Sequence, residues 1–399
     1  MNRFDLTVIG GGVGGLVTAS GASQFGAKVA LVEKEKLGGD CLHYGCVPTK
    51  SLVRTAKVIS LMRKASDFGL NPVNVDIEFK KLMDHMRSVQ KKIGKHDDPE
   101  RFEKMGVQLF FGKGSFIDTH TFEVNEKKIK SRKFLIATGS RPITLPIPGL
   151  DKVDFLNNIK ILALNKLPES LLVIGAGPIG VEFAQVFSRF GSKVTIIEKE
   201  GQILPREDKE LADILEDILK KEGIEIVTCV DIKKVDQSKN KKIIEAECTG
   251  IKKRFEADEL LVAIGRAPNI EDLNLDKIGV ETTRRGIVVD ETMRTTVPNI
   301  WACGDVTGMF PFTHMAEYEA GLVVANALFP LIKRKMDKRV VPWTTFTDPE
   351  LARVGLIEDE AKKQLDDIKI YKYHFKDHDR AVIDGETEGL IKLVCDKKG

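Results

Sequence analysis

Two cysteines lie close together near the start of the chain, in a run whose residue types suggest redox chemistry. Cys41 and Cys46 belong to residues 38–50, GGDCLHYGCVPTK. This spacing predicts two thiols on neighbouring turns of a helix, within reach of one bond, and the glycines let the backbone press against a flat ring. Two structural cysteines or half of a zinc site are the alternatives, but zinc needs four ligands and no suitable second pair follows. We therefore expect a thiol pair that cycles between dithiol and disulfide, and no metal site.

The elements that must position these thiols occur twice in the chain. Residues 6–35 and 171–200 align without a gap, and half of their positions are identical. Each copy reads as an apolar strand, a Gly-x-Gly-x-x-Gly turn, a helix and a second strand ending in an acid. The first glycine allows the tight turn, the second lets the backbone approach a pyrophosphate, and the third lets the helix pack on the strand. The residues are Gly10, Gly12, Gly15 and Glu33 in the first copy, and Gly175, Gly177, Gly180 and Glu198 in the second.

Two complete units predict two bound dinucleotides. A degenerate structural duplicate would have lost the glycines or the acid, and neither copy has. We expect FAD in the first unit and a nicotinamide in the second, because a thiol pair takes electrons through a flavin more readily than directly from a hydride donor. An acid such as Glu198 repels the 2′-phosphate of NADPH, so NAD is favoured over NADP.

Apolar segments around the two units define the expected domains. Residues 134–142 and 260–269 read as exit strands, and a third strand ends at Gly304-Asp305, where a carboxylate could meet a polyol hydroxyl. We predict an α/β fold with two Rossmann-like dinucleotide-binding domains and a partial α+β interface domain. The predicted order is an FAD-binding domain over 1–145 with a helical insertion at about 51–105, an NAD(P)-binding domain over 146–266, a second FAD-binding part over 267–340, and an incomplete dimerisation domain over 341–399.

Composition excludes several other classes of protein. The chain has 399 residues, 42% hydrophobic and 30% charged, with a net charge of +3. Its short basic runs lack interleaved aromatic residues, so we expect no nucleic-acid partner, and it has no apolar run long enough to span a bilayer. Six cysteines do not make a secreted disulfide framework. We expect a cytoplasmic enzyme without a membrane partner.

In this order the elements resemble the FAD-dependent pyridine nucleotide-disulfide oxidoreductases of class I, the group of dihydrolipoamide dehydrogenase, glutathione reductase and mercuric reductase. The resemblance covers nearly the whole chain. It is carried by the two glycine fingerprints, the redox run, and the segments 137–139, 263–266 and 302–305, which read ATG, AIGR and ACGD.

The resemblance implies roles for individual residues. The thiol matching Cys46 lies against the flavin as the charge-transfer thiolate, and the one matching Cys41 exchanges with substrate. Lys50 sits near the flavin and pairs with Glu182, and Asp305 holds the ribityl chain. Further cofactor contacts are expected at Gly114, Gly265 and Ala316. For Gly114 an ordinary turn glycine is the alternative.

The implied reaction passes electrons between NAD(P)H, FAD and the thiol pair, with a small disulfide, dithiol or metal ion as substrate. Asp40 and the dipeptide His43-Tyr44 look closer to mercuric-reductase-like members than to the commoner patterns. Dihydrolipoamide dehydrogenase is the alternative, and a non-catalytic flavin-binding protein is the second alternative.

The resemblance also implies a homodimer whose interface domain supplies an acid–base histidine, followed five residues later by Glu. Neither His374 nor His378 is followed by Glu at that distance. His314 precedes Glu319 at that distance, but the pair belongs to the flavin-domain helix. We therefore expect a C-terminally truncated member in which dimerisation and disulfide turnover are impaired.

Overall fold

The computed structural model describes residues 3–71, 73, 75–329, 331 and 333–399. Its strands are β1 Phe4–Ile9, β2 Val29–Glu33, β3 Gln108–Phe111, β4 Gly114–Asp118, β5 Thr121–Val124, β6 Lys127–Ile136, β7 Ser140–Pro142, β8 Ser170–Ile174, β9 Lys193–Ile197, β10 Glu225–Val227, β11 Val230–Ser238, β12 Lys241–Cys248, β13 Ile251–Ala257, β14 Glu259–Val262, β15 Arg266–Pro268, β16 Thr282–Thr283, β17 Gly286–Ile287, β18 Ile300–Ala302, β19 Pro342–Thr345, β20 Leu351–Val354, β21 Ile368–His374 and β22 Leu390–Asp396. Its α-helices are α1 Val13–Gln24, α2 Gly39–His43, α3 Cys46–Arg63, α4 Phe79–Gly94, α5 Pro99–Lys104, α6 Pro178–Phe190, α7 Lys209–Lys221, α8 Thr313–Leu328, α9 Glu358–Gln364 and α10 Asp379–Asp384.

The chain forms two compact units, each assembled from three segments. The first unit contains Met1–Pro48, Arg87–Ile143 and Arg266–Lys338, and the second contains Thr49–Met86, Thr144–Gly265 and Arg339–Gly399. Each unit is built around a parallel sheet, so the predicted α/β class is confirmed.

The parallel sheet of the first unit has the order β3-β2-β1-β6, and β18 pairs with β6 in parallel. β5 and β4 extend the sheet from β6 in antiparallel pairing. Phe116, Phe122 and Phe134 fill the core below it, with ring centroids 5.0 and 5.1 Å apart in edge-to-face geometry. The sheet brings the end of β1, the end of β6 and the end of β18 to one edge, where a doubly wound fold binds its ligand.

The second unit has a parallel sheet of order β10-β9-β8-β14 and an antiparallel sheet of order β11-β12-β13. Its largest core cluster joins the aromatic residues of α6 to apolar residues of α3 and α4. Of the helical insertion that we predicted at about 51–105 in the first domain, residues 51–86 lie in the second unit. The physical reason is the apolar face formed by Leu52, Ile59, Phe79 and Met83, which is buried against this unit's own core.

Residues 341–399 combine two antiparallel strand pairs, β19-β20 and β21-β22, with α9 and α10. A buried ammonium group anchors the second pair within its unit. Lys392, 6% exposed, reaches Asp208 at 2.8 Å, Glu210 at 3.3 Å and Glu358 at 2.6 Å. These carboxylates raise the pKa of Lys392 against the effect of burial, which lowers it.

None of the helices in the described residues has the length and apolar character needed to cross a membrane.

Candidate active site

The two cysteines of the redox run lie in two successive helices and not in one. Cys41 is in α2, and Cys46 is the first residue of α3. The prediction of neighbouring turns of a single helix was therefore wrong. Tyr44 ends α2 with φ −139°, and Gly45 follows in a close turn in which an added Cβ would lie 3.1 Å from the Asp40 carbonyl oxygen.

The break in the helix still brings the two sulfurs together. Both residues are thiols and not a disulfide. Their side chains share a hydrogen bond, which is the largest cause of a raised pKa at Cys41, followed by burial and by the charge on Cys46. The hydroxyl of Thr313 acts in the opposite direction on Cys41, and its Oγ1 lies 3.2 Å from Cys46 Sγ.

A buried ion pair in the second unit involves the lysine of the redox run. Lys50 Nζ donates to Glu182 Oε2 at 2.9 Å, and Glu182 is only 7% exposed. The backbone N–H of Phe346 donates to the other oxygen of Glu182 at 2.9 Å, and the ring of Phe346 lies 4.3 Å from the ammonium group. The structure thus brings together the two residues that the resemblance paired. It adds Phe346, which nothing in the sequence indicated.

Asp305 follows β18 in a short 3₁₀ turn, Gly304–Thr307. Its Oδ2 accepts a hydrogen bond from Ser140 Oγ at 2.5 Å. Burial raises the pKa of Asp305, while the Ser140 hydrogen bond and the charge of Arg266 lower it. Arg266 Nε donates to Ser140 Oγ at 2.8 Å, and its guanidinium lies 3.0 Å from Asp40.

Sequence reasoning assigned no role to Arg266 or Ser140. Both follow predicted exit strands, and β7 and β15 pair in antiparallel orientation, which places them side by side. The sequence contains a signal for both residues, because each exit-strand segment contains, in order, Gly, a polar residue, one further residue and Pro. Only the pairing of β7 with β15 links the two segments to Asp305.

The first glycine fingerprint has the geometry that its spacing predicts. Gly10 has φ +110°, and a Cβ there would lie 2.2 Å from the carbonyl oxygen of Ala137. A Cβ at Gly15 would lie 1.9 Å from the Gly10 oxygen, so α1 could not begin this close to β1 with any larger residue. By contrast, a Cβ at Gly12 would meet only the Gly39 Cα at 3.8 Å among the described residues, which leaves room there for a ligand.

The acid of this fingerprint supports the turn itself. Glu33 Oε2 accepts a hydrogen bond from the Gly11 N–H at 2.6 Å, and its Oε1 accepts one from the Glu35 N–H at 2.8 Å. Each carboxylate oxygen keeps a further lone pair. The open backbone at Gly12, the N-terminus of α1 and this carboxylate fit the pyrophosphate and ribose of a dinucleotide such as FAD.

The second fingerprint repeats the arrangement. Gly175 has φ +100°, and a Cβ at Gly180 would lie 2.0 Å from the Gly175 oxygen. No atom of the described residues lies within 4 Å of the position that a Cβ would take at Gly177. Glu198 is buried, and its Oε2 accepts from the Ala176 N–H at 2.6 Å. A second dinucleotide fits here for the same reasons.

The other predicted cofactor contacts lie in different settings. Gly114 is the first residue of β4 and not part of a turn, and a Cβ there would lie 2.3 Å from the Glu123 oxygen. Gly265 has φ +134° directly before β15. Ala316 is buried in α8, with its carbonyl oxygen 3.5 Å from where a Cβ of Gly14 would lie. The close approach to Glu123 explains why residue 114 is a glycine.

His314 and Glu319 have separate environments. His314 is exposed, and its ring stacks on Phe312 with centroids 5.6 Å apart. Glu319 is buried, and its Oε2 accepts from the Gly304 N–H at 2.6 Å. Within the described part of the chain, no three His, Cys, Asp or Glu side chains are grouped as a metal site requires.

Comparison with known proteins gives consistent matches along the chain. Residues 4–320 match the family described as pyridine nucleotide-disulphide oxidoreductase, and residues 341–399 match its dimerisation domain. A mercuric reductase from Staphylococcus aureus is 37% identical over 392 residues, which cover 98% of this chain and 72% of that protein. A dihydrolipoyl dehydrogenase from Bacillus subtilis is 35% identical over 411 residues, which cover 99% of this chain and 86% of that protein. Among solved structures, the Cu(II) complex of the HOCl-induced flavoprotein disulfide reductase RclA from Escherichia coli matches with a TM-score of 0.88 and 30% identity, covering 100% of this chain and 87% of that one.

Proposed function

Since the chain belongs to the pyridine nucleotide-disulphide oxidoreductase family, whose enzymes use FAD and NAD(P)H, we propose that Cys41 and Cys46 are its redox-active pair. We propose further that it belongs to the mercuric-reductase-like branch. The observation that carries the first proposal is the hydrogen-bonded thiol pair that Thr313 contacts. A non-catalytic flavin-binding protein is disfavoured, because the matching family consists of enzymes.

The thiol pair performs a balanced two-electron exchange. One NADH and one proton reduce the Cys41–Cys46 disulfide to two thiols and leave NAD⁺. Two thiols then give their two electrons to the acceptor, release two protons and close the disulfide again. We assign the charge-bearing role to Cys46, as the resemblance to the family implies, and its sulfur lies 3.2 Å from the Thr313 hydroxyl. Cys41 is then the thiol that exchanges with substrate.

Lys50, the last residue of the redox run, forms an ion pair with Glu182 within the second unit. Lys50 lies one helical turn after Cys46 on α3. Glu182 is almost fully buried, so removing either partner would leave an uncompensated charge. We propose that this ion pair orients the ammonium group, whose charge favours anionic species formed during reduction.

FAD, when bound, accepts a hydride and releases electrons to a thiol pair. We propose that the turn from Gly10 to Gly15 and the N-terminus of α1 bind its pyrophosphate, that Glu33 binds its ribose, and that Asp305 binds its ribityl chain. The remaining candidate contacts are Gly114, Gly265 and Ala316. The second fingerprint, from Gly175 to Glu198, would bind the nicotinamide dinucleotide. The buried carboxylate of Glu198 supports NADH over NADPH, because a second phosphate would meet its negative charge.

The acceptor we propose is a mercuric ion, with the disulfide lipoamide, the substrate of a dihydrolipoamide dehydrogenase, as the alternative. Thiolate sulfur is a soft ligand and prefers soft metal ions. Asp40, His43 and Tyr44 within the redox run support this branch. Sequence identity does not distinguish the two branches, since mercuric reductases are 35–37% identical to this chain and dihydrolipoyl dehydrogenases are 34–38% identical.

In place of the impaired dimerisation expected from the sequence, we propose that the chain forms a homodimer through residues 341–399. We also propose that it acts in the cytoplasm, where thiols are kept reduced. The match to a dimerisation domain supports the first point. A further support is the outer face of β21-β22, where Tyr371 pairs with Leu393 and Tyr373 with Ile391, each between 46% and 56% exposed. Sedimentation of the purified protein at micromolar concentration as a monomer only would contradict the dimer.

The central experiment measures NADH and NADPH oxidation by the FAD-loaded protein with Hg(II), lipoamide, glutathione disulfide or a dye as acceptor. We expect Hg(II) to be reduced and NADH to be the better donor. Cys41→Ser and Cys46→Ser should abolish reduction of Hg(II) while the dye is still reduced, because the dye does not need the thiols.

Cys229→Ser is the matched control, since Cys229 is an exposed cysteine outside the proposed site. It should leave every rate unchanged. Full Hg(II) and disulfide reduction by the Cys46→Ser variant would refute the proposed redox pair. Turnover of lipoamide without turnover of Hg(II) would assign the chain to the dihydrolipoamide branch.

A further inference from the structure

We propose that Asp40 is a positioning residue for the redox pair, whose carboxylate packs on the turn between Cys41 and Cys46 and is itself held in place by Arg266. This inference rests on the proposed redox pair. Asp40 stands directly before Cys41, and its two side-chain oxygens lie against different segments of the chain. All of these residues belong to the first unit.

One oxygen of the Asp40 carboxylate packs on the turn that joins the two thiols. A Cβ added at Gly45 would lie 3.1 Å from Asp40 Oδ2 and 3.1 Å from the Asp40 carbonyl oxygen. That carbonyl oxygen also accepts a hydrogen bond from the Tyr44 N–H at 2.8 Å. Gly45 directly precedes Cys46, so the residue before one thiol is packed against the residue before the other. The conformation of Asp40 therefore bears on the separation of the two cysteines.

The other oxygen of Asp40 is held by a guanidinium group with several further bonds. Arg266 Nη2 lies 3.0 Å from Asp40 Oδ1. The same group donates from Nε to Ser140 Oγ at 2.8 Å and from Nη2 to the Ser140 carbonyl oxygen at 3.0 Å. The side chain of Arg266 is 16% exposed, and that of Asp40 is 39% exposed. Because the planar guanidinium fixes the directions of its donors, the ion pair ties Asp40 to strand β7.

The hydrogen bonds of Ser140 continue to a second carboxylate. Ser140 Oγ donates to Asp305 Oδ2 at 2.5 Å, and Arg266 Nε lies 3.9 Å from the same oxygen. One guanidinium group therefore serves two carboxylates, that of Asp40 beside Cys41 and that of Asp305, which we proposed as a ligand of the ribityl chain. This shared partner fixes the turn of the redox pair relative to the proposed flavin site.

The negative charge of Asp40 also acts on the thiols. The hydrogen bond with Cys46 is the largest cause of the raised pKa of Cys41, and burial is the next. The charge of Asp40 adds to this rise, whereas the hydrogen bond of Thr313 opposes it. A thiolate formed on reduction is repelled by Asp40, so a neutral side chain at this position would favour the reduced pair. Loss of the positive charge of Arg266 would favour the disulfide.

Two substitutions separate the two charges. Asp40→Asn removes the negative charge and keeps an oxygen that can accept from Arg266. We expect it to shift the equilibrium between disulfide and dithiol about 10-fold toward the dithiol at pH 8, which for a two-electron couple is about 30 mV. Arg266→Gln should shift the same equilibrium toward the disulfide. A residue that only stabilised the fold would change the free energy of unfolding and leave this equilibrium unchanged.

The experiment equilibrates the FAD-loaded protein with mixtures of reduced and oxidised dithiothreitol. Reduced dithiothreitol gives two electrons and two protons to the Cys41–Cys46 disulfide and closes its own disulfide. N-ethylmaleimide then traps the thiols, and mass spectrometry measures the modified fraction of each cysteine. Asp276→Asn is the matched control, because it removes the same charge from an exposed position in the same unit. It should leave the equilibrium unchanged.

The possible results separate this inference from the proposed function. The inference is wrong if Asp40→Asn leaves the equilibrium as in the native protein, if Asp276→Asn shifts it as much, or if Arg266→Gln shifts it in the same direction as Asp40→Asn. If Cys41→Ser and Cys46→Ser keep substrate turnover, the proposed redox pair fails, and the inference fails with it. If Asp40→Asn loses FAD, Asp40→Ser is measured in its place by the same criterion.

Discussion

Glu319 provides a sharp test of the electrostatics inside the first unit. The residue is fully buried in α8 at 0% exposure. Its Oε2 accepts from the Gly304 N–H at 2.6 Å, while its Oε1 is buried with no hydrogen-bond partner among the described residues. Burial raises its pKa from the ordinary 4.5 to about 7, and the charge of Asp305 adds to the rise, whereas Gly304 and Lys338 lower it.

The raised pKa makes stability depend on pH in a defined direction. Because the folded protein binds this proton more tightly than the unfolded chain does, Glu319 costs no stability below pH 4.5, and the cost grows as the pH rises toward 7. Each pKa unit corresponds to about 1.4 kcal/mol, so the full cost above pH 7 is about 3 kcal/mol. At pH 5 it is about 1 kcal/mol.

Glu319→Gln removes the ionisable group and keeps an oxygen that can accept from Gly304. We expect the variant to exceed the native protein in free energy of unfolding by about 3 kcal/mol at pH 8 and by about 1 kcal/mol or less at pH 5. The measurement is denaturant unfolding at both pH values with a fixed excess of FAD. Glu317→Gln, at an exposed position on the same helix, is the control and should show no such pH dependence.

The reasoning would be refuted by an equal effect of Glu319→Gln at both pH values. A loss of stability at pH 8 would also refute it, because it would mean that the carboxylate is stabilised in the folded protein.

Three further predictions concern other parts of the structure. Asp348→Asn should lower the free energy of unfolding by about 3 kcal/mol, because it removes one partner of Arg189, which is buried and lies 2.7 Å from Asp348. Burial alone raises the pKa of Asp348, but its hydrogen bonds lower it below the ordinary value. The stabilisation that Asp348 gives the folded protein should therefore be lost as the pH falls below 4. Denaturation at pH 3 and at pH 7 would measure this loss. Gly15→Ala should abolish FAD binding, measured as flavin content, because its Cβ would lie 1.9 Å from the Gly10 oxygen. Glu198→Gln should raise the KM for NADH by about 10-fold with FAD content unchanged, because hydrogen bonds to a charged group are the stronger ones.

Local patterns in the sequence were sufficient to predict the two dinucleotide-binding units. Part of the glycine spacing in each fingerprint reflects steric demands between residues five positions apart, such as the contact of Gly15 with Gly10. The acids could also be found from local pattern, since each stands at or directly after the end of the strand that follows the helix. The α/β class followed from the same repeats.

Such local patterns could not predict contacts between residues that are far apart in the chain. The helix containing Cys41 was predicted to run on to Cys46, yet it ends at Tyr44, because the turn at Gly45 packs against Asp40. The apolar residues from 52 to 83 showed a helical period, but a period does not say which core a helix enters. The structure places them against α6.

The sequence by itself determined the chemistry that is available: two dinucleotide-binding turns, two thiols at short spacing, a lysine and scattered acids. Only the tertiary structure decided which of these groups meet. Ser140 and Arg266 are 126 positions apart, and Cys46 and Thr313 are 267 apart. Short-range sterics are encoded in neighbouring residues, whereas the ionisation of a thiol depends on whatever the fold packs beside it. The contact of Cys46 with Thr313 can therefore be found only from the folded structure, which places α8 beside the thiol.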